Sequence, residues 1–143
     1  MAISTYKVFL MSSETETGTY SKLIDIKEFP DLGGAPEQLE TTTLSDKMQT
    51  YINGIQTLEA FTFTSNYDVT EYQSLKAYEG TDRYYAVWFG GTENNDGTVT
   101  PTGINGKFTF KGQLAVYANG GGVNEVVNMT VTVSPSTPIT FSV

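Results

Sequence analysis

The side chains that most often carry out chemistry are absent from this chain or scattered along it. Its 143 residues include no histidine and no cysteine. Neither a Ser-His-Asp nor a Cys-His nucleophile can therefore be built, and disulfides and the common zinc sites are excluded. What remains for acid–base work is carboxylate, with 16 acidic residues against 8 basic ones. Carboxylate-only hydrolysis needs two acids held a few ångströms apart in a cleft, and with so many acids a chance pair carries no signal. Two local clusters invite a closer test. Glu93-Asn94-Asn95-Asp96-Gly97 places oxygen ligands beside a glycine, yet lacks the alternating acids and distal glutamate of a calcium loop, so it reads as a plain turn. Gly120-Gly121-Gly122 precedes neither a helix nor a Lys-Ser/Thr pair, so it is no phosphate cradle. The expectation is a non-enzymatic protein with no metal and no cofactor.

Composition sets the frame for a structural or binding role. A chain of this length reads as one domain over residues 1–143, long enough to bury roughly two-thirds of its unfolded surface. Its 38% hydrophobic and 13% aromatic content can fill that core, and 17% charged residues is too few for disorder. No apolar run approaches the ~18 residues of a membrane span, and the N-terminus has no basic leader or long apolar stretch to act as a secretory signal. The formal net charge of −8 argues against gripping phosphate backbones, because that affinity comes mainly from Lys and Arg displacing counterions.

The elements that would position any site are mostly strands. Period-two alternation predicts strands over Thr5–Met11, Lys22–Phe29 and Thr57–Ser65, with the polar Ser12–Thr19 stretch as a loop. A Gly33-Gly34-Ala35-Pro36 turn leads into a strand-like Glu37–Leu44, followed by a Ser45-Asp46-Lys47 break. One helix is expected from Val69 to Glu79, capped by Asp68 with Glu71 three positions on and stopped by Gly80. Val69, Tyr72, Leu75 and Tyr78 would form its apolar stripe. Arg83–Phe89 is apolar on both faces and must be covered on both, one by the helix and the other by an opposing sheet or a neighbouring subunit. Gly90–Gly106 reads as a long loop. A hairpin follows, with Phe108, Phe110, Leu114 and Val116 facing one way. After an Asn119–Gly122 turn, the return strand presents Val123, Val127, Met129, Val131 and Val133. A short last strand covers Ile139–Val143. The predicted class is mainly β: an antiparallel β-sandwich or small barrel with one flanking α-helix.

Three blocks in order carry a family resemblance: GGAPEQLETTTLSDKMQTYINGI (Gly33–Ile55), YYAVWFG (Tyr84–Gly90) and VNEVVNMTVTVSPSTPITF (Val123–Phe141). Together they resemble the tail tube, or major tail, proteins of long-tailed bacteriophages, especially those infecting Gram-positive bacteria. The ordered set extends over most of the chain, though none of the blocks is a catalytic signature. The chain lacks the immunoglobulin-like domain that some relatives append, so it looks like the minimal tube-forming version. The resemblance implies a β-sandwich flanked by a helix that assembles as six-subunit rings. These stack into a tube that conducts the genome during ejection, in a virion assembled in the host cytoplasm. It also implies partners: a length-ruler protein, tip and terminator proteins, and passing genomic DNA that is not specifically bound, with no membrane. In relatives the loop between the third and fourth strands reaches a neighbouring subunit or ring. Here that is Leu44–Ile55, whose Leu44, Met48, Tyr51 and Ile52 become the expected interface. Glu37, Glu40, Asp46 and Glu59 become candidates for a lumen wall that repels phosphate over a Debye length of about 8 Å. Lys107 and Lys111, alternating on one polar face, fit such a lumen only if that face is external or meets a neighbour's acids.

Two rival readings accompany this one. A monomeric β-sandwich that binds carbohydrate or acts as an adhesin would use Trp88 and the tyrosines to stack on sugar rings, although Trp88 sits in the most apolar strand. A subunit of a contractile injection apparatus, or a tail completion protein forming one terminal ring, would share the tube fold.

Overall fold

The computed structural model of the protein describes residues 6–33, 37–54 and 59–143. Strands β1 (Val8–Ser13), β2 (Ser21–Ile24), β5 (Phe61–Asn66), β6 (Asp82–Phe89), β9 (Lys107–Ala118), β10 (Asn128–Pro135) and β11 (Thr140–Ser142) form one antiparallel sheet. It runs in the order β2-β1-β6-β9-β10-β5, with β11 also pairing β9. The chain just beyond β2 returns to the far edge: Glu28 bridges Thr64, and the Lys27 N–H donates to the Thr64 carbonyl at 2.6 Å. The sheet thus curls until its two ends touch, which is the barrel form of the predicted architecture.

Strand β9 makes the curl possible. Residues 107–113 pair with β6, whereas 112–118 pair with β10, so the strand changes partners at Gly112. A methyl group at that position would overlap the Ser134 carbonyl of β10, which explains why the corner is a glycine. The core lies inside the curl. Leu10, Ile24, Phe63, Tyr85, Val87, Phe110, Leu114, Met129, Val131 and Val133 are buried there.

The helix α1 (Val69–Tyr78) begins where Asp68 predicts, since its side chain accepts the Thr70 and Glu71 N–H groups. Only Leu75 of the expected stripe is buried; Tyr72 and Tyr78 are partly covered and Val69 is exposed. Just past the helix, the Glu79 carboxylate accepts the Val116 N–H at 2.9 Å and an ion pair from Lys76 at 3.2 Å. These donors, the Val116 amide first, hold Glu79 below the usual carboxylate range. That amide lies on the stretch of β9 beyond the reach of β6, so a side chain satisfies an edge donor that no strand pairs. Gly80 takes φ +77 and the chain turns directly into β6.

Several expectations need correction. Strand β1 runs on through Ser12 and Ser13, both buried, so the polar loop begins later than its composition suggests. The predicted Lys22–Phe29 strand stops at Ile24 and leaves a single bridge at Glu28. Gly90–Gly106 is not featureless, because β7 (Gly91–Glu93) pairs with β8 (Val99–Pro101). The β9–β10 turn is longer than four residues: β10 starts at Asn128, and Val123, Val126 and Val127 are exposed. The second face of β6 is covered largely by the same chain. Phe9, Met11 and Ala86 are buried there, with Tyr20 from the loop and Val99 from β8 packed over them. The part of the Gly-Gly-Ala-Pro turn beyond Gly33, Ile55 and the first residues of the predicted Thr57–Ser65 strand lie outside the described residues.

Candidate assembly surface

The predicted interface segment is a separate hairpin. Among the described residues, strands β3 (Gln38–Glu40) and β4 (Tyr51–Asn53) pair only with each other, and every residue in them is exposed. Local chemistry makes the hairpin self-supporting. The Thr41 N–H donates to the Thr50 carbonyl at 2.7 Å and the Thr50 N–H to the Thr42 hydroxyl at 2.8 Å. At the tip the Thr43 N–H donates to Asp46 Oδ2 at 2.7 Å, and the Asp46 N–H returns to the Thr43 carbonyl at 3.0 Å. At the base the Gly54 N–H donates to the Glu37 carbonyl. The tip is therefore a β-turn over Thr43–Asp46 that the Asp46 side chain closes around Leu44.

The described residues leave the interface candidates on this arm largely uncovered. Leu44 is fully exposed (109%), Met48 is 77% exposed, and Leu39, Tyr51 and Ile52 are about half exposed or more. Large apolar side chains exposed together on one short arm mark a candidate interaction site. The four candidates do not share one face. Register pairs Leu39 with Ile52 and Glu40 with Tyr51. Directly opposed residues lie on the same side of a two-stranded sheet, so Ile52 and Tyr51 point to opposite sides. A partner must meet both faces to bury both.

The acids separate as well. Glu37, Glu40 and Asp46 ride on the arm, whereas Glu59 is exposed in the segment leading into β5. Asp46 is committed to the tip turn. Three of the four wall candidates therefore share the arm with the interface candidates.

The sequence reading missed a second exposed apolar region. Tyr117, Val123, Val126 and Val127 surround the β9–β10 turn, and the Tyr67 N–H reaches the Val127 carbonyl at 2.9 Å beside the helix start. Val126 was the available signal, since it breaks the alternation that would have placed Val123 and Val127 in a buried strand.

Other candidate chemistry resolves into structure. Asp96 accepts both the N–H and the hydroxyl of Thr98, and these bonds hold it below the usual carboxylate range. Asn94 donates to Thr98 and Thr100, so the suspected ligand cluster is the tip of the β7–β8 hairpin. Among the described residues no group of acids is arranged to hold a metal. The Trp88 ring has the Lys107 ammonium over it at 4.4 Å from the centroid and the Tyr20 ring at 6.0 Å, so it is no open sugar platform.

The model of the family described as phage tail tube, TTP, lambda-like, matches residues 2–143. None of the curated proteins compared with the chain matches it. Among solved structures, a chain from the sheath/tube terminator of the extracellular contractile injection system PVC superposes with a TM-score of 0.69 at 9% identity, covering 100% of this chain and 98% of that one. A chain from the tube-terminating cap of the anti-feeding prophage gives 0.63 at 11% identity, covering 99% and 91%. One from the PVC sheath–tube complex gives 0.63 at 9%, again covering 99% and 91%. Identities this low speak for the fold alone. The family model spans all but the first residue, and the chain belongs to the lambda-like phage tail tube family, whose members are structural virion components and not enzymes.

Proposed function

We propose that copies of this chain, each acting as a single tail tube domain over residues 1–143, close into six-subunit rings. These stack into the conduit for DNA ejection in a long-tailed phage of a Gram-positive host. The tube is assembled in the host cytoplasm together with length-ruler, tip and terminator proteins. The observation that carries this reading is the β3–β4 arm, which folds on its own hydrogen bonds yet presents Leu39, Leu44, Met48, Tyr51 and Ile52 to solvent. An arm built this way lowers its free energy only when another molecule covers it. Leu44, Met48, Tyr51 and Ile52 are accordingly the contact residues between copies. Glu37, Glu40, Asp46 and Glu59 are the candidates for the wall of the bore, the first three reaching it only where the arm does. The bore acts passively. An acidic or neutral wall repels phosphate over about a Debye length and holds nothing that must pass.

The test is negative-stain microscopy of the purified protein at high concentration, alone and seeded with tail tips, with a glycan-binding assay alongside. Rings or tubes of uniform bore support the reading. A seeded preparation that stays monomeric and binds a glycan saturably would replace it with the carbohydrate-binding module.

A further inference from the structure

The chain holds three Asn-Gly dipeptides, Asn53-Gly54, Asn105-Gly106 and Asn119-Gly120. This pair of residue types can react with itself. The glycine backbone nitrogen, losing its proton to a base in the solvent, attacks the asparagine side-chain carbonyl carbon and expels ammonia. A succinimide ring is left, and water opens it at either carbonyl to aspartate or isoaspartate. Glycine after the asparagine favours the step, because it has no Cβ to block the approach and its backbone is the least restricted. The nitrogen must also give up whatever hydrogen bond its N–H makes, so the fold decides which of the pairs reacts.

Two of them are held. The Gly54 N–H donates to the Glu37 carbonyl at the base of the β3–β4 arm. The Gly106 N–H donates to the Gly103 carbonyl at 3.1 Å, and Gly106 itself is buried. Both positions also have a structural reason to be glycine. A Cβ at 54 would come within 2.9 Å of the Glu37 carbonyl oxygen, and 106 sits at φ +131 against the Phe141 ring. Asn119-Gly120 differs on every count. Asn119 adds a final rung to the β9–β10 ladder, its N–H donating to the Asn128 carbonyl at 2.9 Å. The next N–H, that of the exposed Gly120, has no hydrogen-bond partner among the described residues. A Cβ on Gly120 would meet nothing within 4 Å and its φ is not positive, so neither space nor backbone requires glycine there. The carbonyl under attack is polarised as well. The Thr130 hydroxyl donates at 2.8 Å to Asn119 Oδ1, the oxygen on which negative charge develops.

We propose that Asn119 is the site at which this protein ages by succinimide formation, ahead of Asn53 and Asn105. The product carries a new carboxylate and makes the chain one charge more negative than its formal −8. That charge appears at the root of the turn that exposes Val123, Val126 and Val127. Where the ring opens to isoaspartate, the main chain also gains one carbon between the last rung and the turn.

Trypsin places the three asparagines in different fragments, residues 48–76, 84–107 and 112–143. The purified full chain is held in warm, mildly alkaline buffer, and mass spectrometry with isoaspartyl methyltransferase labelling follows each fragment. Deamidation of the 112–143 fragment should run about fivefold or more faster than that of the other two, the factor that one hydrogen bond to the nitrogen confers. In urea the three rates should converge. Gly120→Ala should slow the folded chain's 112–143 fragment to the level of the others, with melting no lower than wild type because the methyl enters open space. Equal rates in the folded protein, or faster loss at Asn53 or Asn105, would overturn the inference. So would a Gly120→Ala chain that melts like wild type and still reacts at the wild-type rate. Fragment sequencing that puts the new acid at Asn124 or Asn128, which share the fragment, would overturn it too.

Discussion

The barrel and the arm are built from the same residue types and bury them to different degrees. In the barrel, Phe63, Tyr85, Phe110 and Val131 alternate with polar residues, and each finds its apolar neighbours within the one chain. In the arm, Leu39 and Ile52 face each other across the two strands, Tyr51 points to the other side, and all three stay about half exposed. Local hydrogen bonding supports both: ladders in the barrel, and threonine and aspartate contacts in the arm. The two regions differ in how much of their apolar surface the described residues cover. A hydrogen-bonded hairpin with exposed apolar side chains fits the proposed assembly role. That combination separates an assembly element from an ordinary surface loop.

The contrast can be broken most forcefully from the barrel side. Phe63→Ala removes a fully buried ring packed between β10 and the core and should cost about 3–5 kcal/mol in urea unfolding followed by Trp88 fluorescence. A cost below ~1 kcal/mol would mean the core is not where the structure puts it. Glu79→Ala leaves the Val116 amide unpaired at the β9 edge and should cost about 1 kcal/mol at neutral pH. The Glu79 pKa is lowered in the folded state, so its contribution is complete above the ordinary carboxylate value and fades as pH falls through the folded one. The gap between wild type and variant should accordingly close in acid, below about pH 4. An unchanged gap at low pH would contradict the hydrogen bond.

Tyr85 gives a smaller effect of opposite sign. Its hydroxyl is buried with no hydrogen-bond partner among the described residues, and burial pushes its pKa up to about 12. Tyr85→Phe should leave stability unchanged or raise it by up to ~1 kcal/mol, because the variant no longer buries an unpaired polar group. With the folded pKa raised, any linked stability is present below the ordinary tyrosine value of about 10 and lost as pH rises toward about 12. Ultraviolet titration should show one phenol ionising that late. Smallest of all, Leu39→Ser with Ile52→Ser should move the melting of the unassembled chain by less than ~0.5 kcal/mol equivalent, since both side chains already face water.

How far this was legible depends on whether the signal was local. Asp68 and Gly80 bracket the helix because capping and left-handed backbone are short-range demands, and both stand where the sequence puts them. The β6 and β9 faces follow from strict alternation. What failed was whatever the tertiary arrangement decides. Ser12 and Ser13 read as loop by polarity, yet β6 pairs with them as Tyr85 and Tyr84. The valines at 123 and 127 read as strand by type, yet the turn through Asn124, at φ +62, carries them into solvent. The cover over Trp88 comes from Tyr20 and Val99, which no periodicity could have brought to β6. For the arm, composition gave the exposed apolar residues but not the register that turns Tyr51 and Ile52 to opposite sides.

The central claim, that the arm joins copies and contributes nothing essential to the subunit's own fold, is tested most directly by Met48→Asp with Tyr51→Asp in the full chain. Circular dichroism and thermal melting of the unassembled protein should match wild type, while seeded tube formation in negative stain is abolished. Tubes forming at the wild-type concentration, or a variant that no longer folds, would contradict it.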